Sequence, residues 1–190
     1  MRNARELAPV FHDLPALLHA RETDGSSPLF SPGERIVASA RRFARSPEEC
    51  ARFARAAALR SVNPAVLEAL PGEPKATLFA GDALYAAGFA VPLADGRYLP
   101  AELWPGSPLF QPLGPDWTRP GDLLVIGAHV EVITEVFADD RRVITLGART
   151  IGLVEDGDYG ARLLRARRRR DHFVHRGQTV QVLRAAVQTP

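Results

Sequence analysis

The stretch Pro120-Gly121-Asp122-Leu123-Leu124-Val125-Ile126-Gly127-Ala128-His129-Val130-Glu131-Val132-Ile133-Thr134-Glu135-Val136-Phe137 decides the fold. Pro-Gly-Asp has turn chemistry, and the apolar run Leu123 to Ile126 behind it predicts a short strand. Ala128 to Phe137 predicts a second strand, whose side chains alternate between two faces. His129, Glu131, Ile133 and Glu135 fall on one, and Val130, Val132 and Val136 on the other. The valine face is the expected core. Asp139-Asp140 marks a hairpin tip, and Arg141 to Leu146, Ile151 to Val154 and Gln178 to Leu183 continue the β pattern.

Ahead of this stretch the text is helical. Residues 6 to 22 carry apolar side chains at helical spacing, broken by Pro9 and Pro15, and predict an interrupted helix. Thr23 to Pro32 is turn-rich, and Glu34 to Arg45 places Ile36, Val37, Ala40, Phe43 and Ala44 on one helical face. Ser46-Pro47-Glu48-Glu49 combines an N-cap, a proline at the first helical position and a glutamate in the first turn, predicting a helix to about Leu59. Asn63-Pro64 predicts a short one ending at Pro71-Gly72. Leu78 to Ala87, closed by Gly88, predicts the last, and proline-rich text from Val91 to Pro120 reads as a long loop. Helices first and antiparallel strands second give an α+β domain, with N-terminal helices packed on an antiparallel sheet or partial barrel. The whole chain, 1–190, is expected to be one domain, helical over 1–70, with the last helix, the loop and the sheet in 71–190.

At 190 residues and 46% hydrophobic content the chain can bury about two thirds of its unfolded surface. No apolar stretch reaches the about 20 residues that span a bilayer, so no membrane span is expected. The N-terminus does not read as a signal peptide, and the compartment stays open, with the bacterial cytoplasm and export by a route independent of such a signal as the alternatives. Cys50 is the sole cysteine, so no internal disulfide forms. Its expected role is small and apolar. The net charge of +2 is a weak pointer to an anionic partner.

The segment Lys75-Ala76-Thr77-Leu78-Phe79-Ala80-Gly81-Asp82-Ala83-Leu84-Tyr85-Ala86-Ala87-Gly88-Phe89 resembles the nucleophile helix of papain-like cell-wall hydrolases of the NlpC and CHAP type. Members of that superfamily often read Lys-Cys-Asn-Leu-Phe-Val there, and Ala76 stands at the cysteine. Pro120-Gly121-Asp122-Leu123-Leu124-Val125-Ile126 followed by His129-Val130-Glu131-Val132 resembles the same superfamily's Pro-Gly-Asp strand and the strand that opens with its catalytic histidine. The likeness covers Lys75 to about Thr150. It implies a papain-like fold and a peptidoglycan amidase or endopeptidase plan, acting on the stem peptide or another peptide, with no cofactor and no metal. The implied catalytic positions are Ala76, His129 and, from the motif, Thr145 as the residue that orients the histidine.

Such a mechanism places a thiol in the first turn of a helix, where unpaired N–H groups favour the thiolate, and sets a histidine opposite to carry the proton. The methyl of Ala76 has no lone pair and no proton to exchange, so the sequence as written cannot attack a carbonyl. Thr77 points about 100° away on a helix and reads as an N-cap. Motif and geometry disagree over Thr145. A two-residue turn at Asp139-Asp140 pairs His129 with Thr150 and sets Thr145 against Thr134, on the wrong face for His129, unless a bulge intervenes. Glu131 is a substitute orienter, although a solvated strand glutamate is its default reading, and Asp82 is expected to face elsewhere.

Two origins are open for Ala76: an engineered replacement of cysteine, or natural loss in a relative that now binds peptide or protein partners. Among rival chemistries, His172 and His175 lack a third metal ligand of recognisable spacing. The basic run Arg162, Arg165, Arg167, Arg168, Arg169 and Arg170 lacks interleaved aromatics, so nucleic acid is not the expected partner. Trp104, Phe110 and Trp117 either line a groove or pin the loop.

Overall fold

Ser31 starts the first helix, α1 (Pro32–Phe43), through a capping box. Its hydroxyl accepts from the Glu34 N–H at 3.3 Å, the Glu34 carboxylate accepts from the Ser31 N–H at 2.6 Å, and Pro32 fills the first position. The helix therefore begins two residues before the predicted Glu34. A computed structural model describes residues 30–114, 117–137, 143–157, 167–169, 172–175 and 178–186, with the backbone alone for 167–169, 172–175 and 178–179. The predicted helix over 6 to 22 and the hairpin tip at Asp139-Asp140 lie outside the described residues.

Ser46 caps α2 (Pro47–Arg52), accepting from the Glu49 N–H at 3.1 Å, but the helix ends at Arg52 and not near Leu59. The alanine and arginine text beyond it has propensity but no continuous apolar stripe, and propensity alone does not sustain a helix. Packing takes over. Phe53 turns in against the rings of Phe43 and Phe79, 5.7 and 5.4 Å away, and Leu59 pairs with Ala69 in an isolated β-bridge. The predicted helix from Asn63 is replaced by an Asx turn in which the buried Asn63 side chain accepts from the Ala65 N–H at 3.0 Å.

The third helix, α3 (Ala76–Ala86), is apolar around most of its circumference because it lies between α1 and the sheet. Gly88, at φ +82°, closes it as predicted. The segment read as a loop carries more order than its prolines suggest. Strands β1 (Leu93–Ala94) and β2 (Arg97–Tyr98) form a hairpin around Asp95-Gly96, both left-handed, followed by a 3-10 helix (Ala101–Gly106) and β3 (Phe110–Leu113). Trp104 is fully buried, stacked on Phe110 at 5.2 Å, with its ring N–H donated to the Leu99 carbonyl at 2.7 Å. Trp104 and Phe110 thus pin the segment, whereas Trp117 stays exposed.

The remaining strands are β4 (Leu123–Ile126), β5 (His129–Val136), β6 (Val143–Arg149), β7 (Gly152–Asp156), β8 (Arg167–Arg169), β9 (His172–His175) and β10 (Gln178–Ala185). They run in the order β7-β6-β5-β4-β10-β9-β8, with β3 on β10 beyond β9, and every neighbouring pair is antiparallel. The chain is therefore α+β, helices followed by an antiparallel sheet. Part of the arginine run and both His172 and His175 fall in β8 and β9, which the sequence pattern did not predict. No described helix is long and apolar enough to cross a membrane.

Among the described residues both faces of the sheet carry buried apolar clusters. Val130, Val132, Leu146 and Ala148 join α3 and Trp104 in one cluster, and Leu124, Ile126, Ile133, Val143, Val180 and Val182 form the other. The Pro-Gly-Asp turn is anchored on the sheet: Asp122, almost fully buried, accepts two bonds from the Arg184 guanidinium at 2.8 Å each and one from the Arg119 N–H at 2.8 Å. The β5–β6 ladder breaks register once. Val136 pairs with Val143 and Glu135 with Ile144, but Ile133 pairs with Thr145, leaving Thr134 as a bulge.

Candidate functional site

Lys75 occupies the N-cap of α3 without a side-chain cap, and Ala76 is the first helical residue. Thr77 lies inside the helix, which corrects its reading as the cap. Packing of Ala76, 5% exposed, against the core fixes where the helix starts. Lys75 is 3% exposed, and its ammonium donates to the carbonyls of Arg55 at 3.2 Å and Glu73 at 3.3 Å. Burial lowers the Lys75 pKa, the carboxylate of Glu73 partly restores it, and the Arg55 charge lowers it further.

Across from the helix start, His129 opens β5. Its Nε2 lies 2.7 Å from Glu131 Oε1, and Glu131 is completely buried. The same carboxylate accepts from the Thr145 hydroxyl at 2.5 Å and from Arg149 Nε at 2.8 Å, while Arg149 Nη2 donates to Asp156 at 3.0 Å. Burial is the largest single influence on Glu131 and opposes its ionisation. Hydrogen bonds from His129 and Thr145, with the charges of His129 and Arg149, outweigh it and hold the carboxyl below its ordinary pKa. With Glu131 ionised, Nε2 of His129 carries the proton and Nδ1 is the basic nitrogen.

This network corrects two expectations. Glu131 is not a solvated strand glutamate; it is the group that orients His129. Thr145 does not touch His129: its hydroxyl donates to Glu131 and to the Asp156 carbonyl. The bulge at Thr134 is the physical reason, because it moves Thr145 from the face opposite Thr134 to the face of Ile133, which Glu131 and His129 share. Gly147 completes the arrangement. A Cβ there would sit 2.3 Å from Glu131 Cγ, so only glycine lets the glutamate lie across the neighbouring strand. The reading of the sequence passed over Arg149 and Gly147, although both fall on the face of Thr145 by simple alternation along β6.

His129 and Ala76 line one cavity of about 530 Å³, whose wall also includes Arg55, Lys75, Ile126 and Arg149. A second cavity of about 300 Å³, bordered by Thr77, Leu78, Tyr98 and Glu102, shares Pro74 and Ala128 with the first, so the two flank the start of α3. Asp82 lines neither. It is buried behind the helix, accepting from the Ser61 hydroxyl, from the Val62 N–H at 3.1 Å and from the Tyr98 hydroxyl at 3.0 Å. Burial raises its pKa against those bonds. Cys50 is half-buried, lines neither cavity, and has its thiol pKa raised chiefly by burial. Among the described residues no group of three or more His, Cys, Asp and Glu side chains is placed to hold a metal ion. The side chains of His172 and His175 lie outside what the structure describes.

No family model, no curated protein and no solved structure matches this chain. The chemistry of the site therefore rests on its own geometry.

Proposed function

We propose that the chain is a papain-like scaffold of the NlpC and CHAP type, a peptidoglycan amidase/endopeptidase-like protein that holds a peptide over the start of α3 and leaves it uncut as written. One observation carries this reading: His129, held from behind by the buried Glu131, stands on the wall of the cavity that Ala76 also lines. The order of helix, Pro-Gly-Asp turn and histidine strand, within an α+β fold, supports it.

With a thiol at position 76 the residues would share the work of amide hydrolysis. The first-turn N–H groups of α3 would favour the thiolate, and Nδ1 of His129 would take the proton while Glu131 keeps the ring in place. Attack on the carbonyl carbon would form a tetrahedral oxyanion facing backbone N–H groups. The protonated His129 would return its proton to the leaving amine, and water would then release the acid from the thioester. Alanine removes the nucleophile, and with it every covalent step of that sequence. Binding and ring orientation are untouched by it, and this favours the reading of a module that binds a peptide or protein partner without cleaving it.

Ala76→Cys separates the two. The variant is expected to react with a thiol probe and to digest purified peptidoglycan if the scaffold is an enzyme lacking its nucleophile. A folded variant whose thiol stays unreactive and whose substrate stays intact would leave the binding module as the function.

A further inference from the structure

Glu131 divides its two oxygens among three donors. Oε1 accepts from Nε2 of His129 at 2.7 Å and from Nε of Arg149 at 2.8 Å, while Oε2 accepts from the Thr145 hydroxyl at 2.5 Å. Imidazole and guanidinium therefore meet on one oxygen of a completely buried carboxylate. Arg149 is tethered from its far side as well, Nη2 donating to Asp156 Oδ2 at 3.0 Å. Strand register allows this reach: Thr145, Gly147 and Arg149 share one face of β6, and Asp156 on β7 pairs with Thr145 on that face.

The three donors are not equivalent. Thr145 is neutral, and a histidine can act as a base only while its ring is neutral too. In that state Arg149 is, among the described residues, the one ion-pair partner that still brings Glu131 a charge. Its guanidinium stays protonated across the whole pH range of a folded protein. Without that charge a carboxylate at this depth favours taking up a proton. Oε2 is already engaged by Thr145, so the extra proton goes to the side shared with the ring. Written as a carboxylic acid beside a neutral ring or as a carboxylate beside an imidazolium, the Glu131–His129 pair then carries a proton on Nδ1 in both forms.

We propose that Arg149 is a positioning residue for His129: held by Asp156 and acting through Glu131, it keeps Nδ1 unprotonated and so able to accept a proton. The proposal rests on the reading of His129 as the base of this cavity and names the residue that makes it one. Lys75 and Arg55, the other charged side chains lining the cavity with His129, are cations and oppose protonation of the ring in parent and variants alike.

The full chain with nitrogen-labelled histidines, five in all, reads the state of each ring nitrogen by long-range proton–nitrogen NMR correlation, the His129 signals being assigned by their loss in His129→Gln. At about pH 8 the parent should show Nε2 protonated and Nδ1 unprotonated. Arg149→Gln keeps a donor for Glu131 and drops the charge. It should raise the ratio of Nδ1-protonated to unprotonated rings at least about tenfold, and Arg149→Met should do the same. Arg149→Lys keeps the charge and should stay within about threefold of the parent. In a Glu131→Gln background Arg149→Gln should move the ratio by less than about threefold, because the group it acts through is gone. A folded Arg149→Gln or Arg149→Met protein with a lower Tm but the parent's ratio would make the arginine a strut alone and overturn the proposal. So would an Arg149→Lys protein that behaves like Arg149→Gln, or an undiminished rise in the Glu131→Gln background. The ring is read on the alanine form without substrate, so an inert Ala76→Cys protein would sink the hydrolase reading and leave these ratios where they are.

Discussion

Gly147→Ala sets two physical effects against each other with opposite signs. In a strand interior, replacing glycine by alanine removes chain entropy from the unfolded state and is ordinarily favourable by about 0.5–1 kcal/mol. Here the new Cβ would lie 2.3 Å from Glu131 Cγ, 2.7 Å from Cδ and 2.9 Å from Oε1, where ordinary contact begins near 3.4 Å. Glu131 must then retreat by about 1 Å, and it has nowhere to go: it is fully buried and tied to His129, Thr145 and Arg149 at 2.5–2.8 Å. Overpacking costs about 1–3 kcal/mol, and a charged buried hydrogen bond stretched beyond use adds about 1.5–3 kcal/mol. The net expectation is a loss of about 3 kcal/mol, or a fall in Tm of roughly 6–12 °C for a chain of this size. Thermal unfolding followed by circular dichroism reads this, and the double variant Gly147→Ala/Glu131→Ala checks the cause. The alanine should cost far less once the glutamate is truncated, giving a coupling of more than about 1 kcal/mol. A Gly147→Ala protein as stable as the parent, or strictly additive effects, would refute the close packing of Glu131 over Gly147.

Other expectations follow from the same contacts. Glu131 has a folded pKa below the ordinary 4.5, so its stabilisation is fully present above that value and is lost as pH falls through the folded pKa. Glu131→Gln should therefore flatten the acid limb of the stability–pH curve below about pH 4.5, and parallel curves would contradict the assigned direction. Arg184→Met leaves Asp122 buried without its cation and should cost about 3–5 kcal/mol in urea unfolding; a loss under about 1 kcal/mol would mean that water replaces the fork. In the Ala76→Cys background, His129→Ala should lower hydrolysis by about 10²–10⁴-fold without a comparable fall in Tm, and undiminished turnover would remove His129 from the mechanism.

The parts of the fold that local chemistry dictates were legible. Leu123 to Ile126 is a strand to the residue, Ser46 caps a helix, Gly88 closes one, and strand alternation puts His129 and Glu131 on one face. What escaped depends on partners distant in the chain. The depth of Glu131 depends on a glycine 16 residues away, and the position of Thr145 depends on a bulge that no turn residue announces. The end of α2 is decided by where Phe53 and Leu59 pack, and Lys75 is buried by carbonyls from Arg55 and Glu73. The Asp95-Gly96 hairpin is different in kind, since its signal was present and the surrounding prolines obscured it.

The bulge at Thr134 also bears on how such a site is written along a chain. Ile133 and Glu135 already face consecutive residues of β6, so Thr134 is a supernumerary position in the ladder. A relative without it would keep His129, Glu131, Thr145 and Arg149 in the same mutual arrangement, with one residue fewer between the glutamate and the threonine. A pattern that fixes the gap between those residues would pass over that relative, whereas one that fixes which residues face each other across the hairpin would find it.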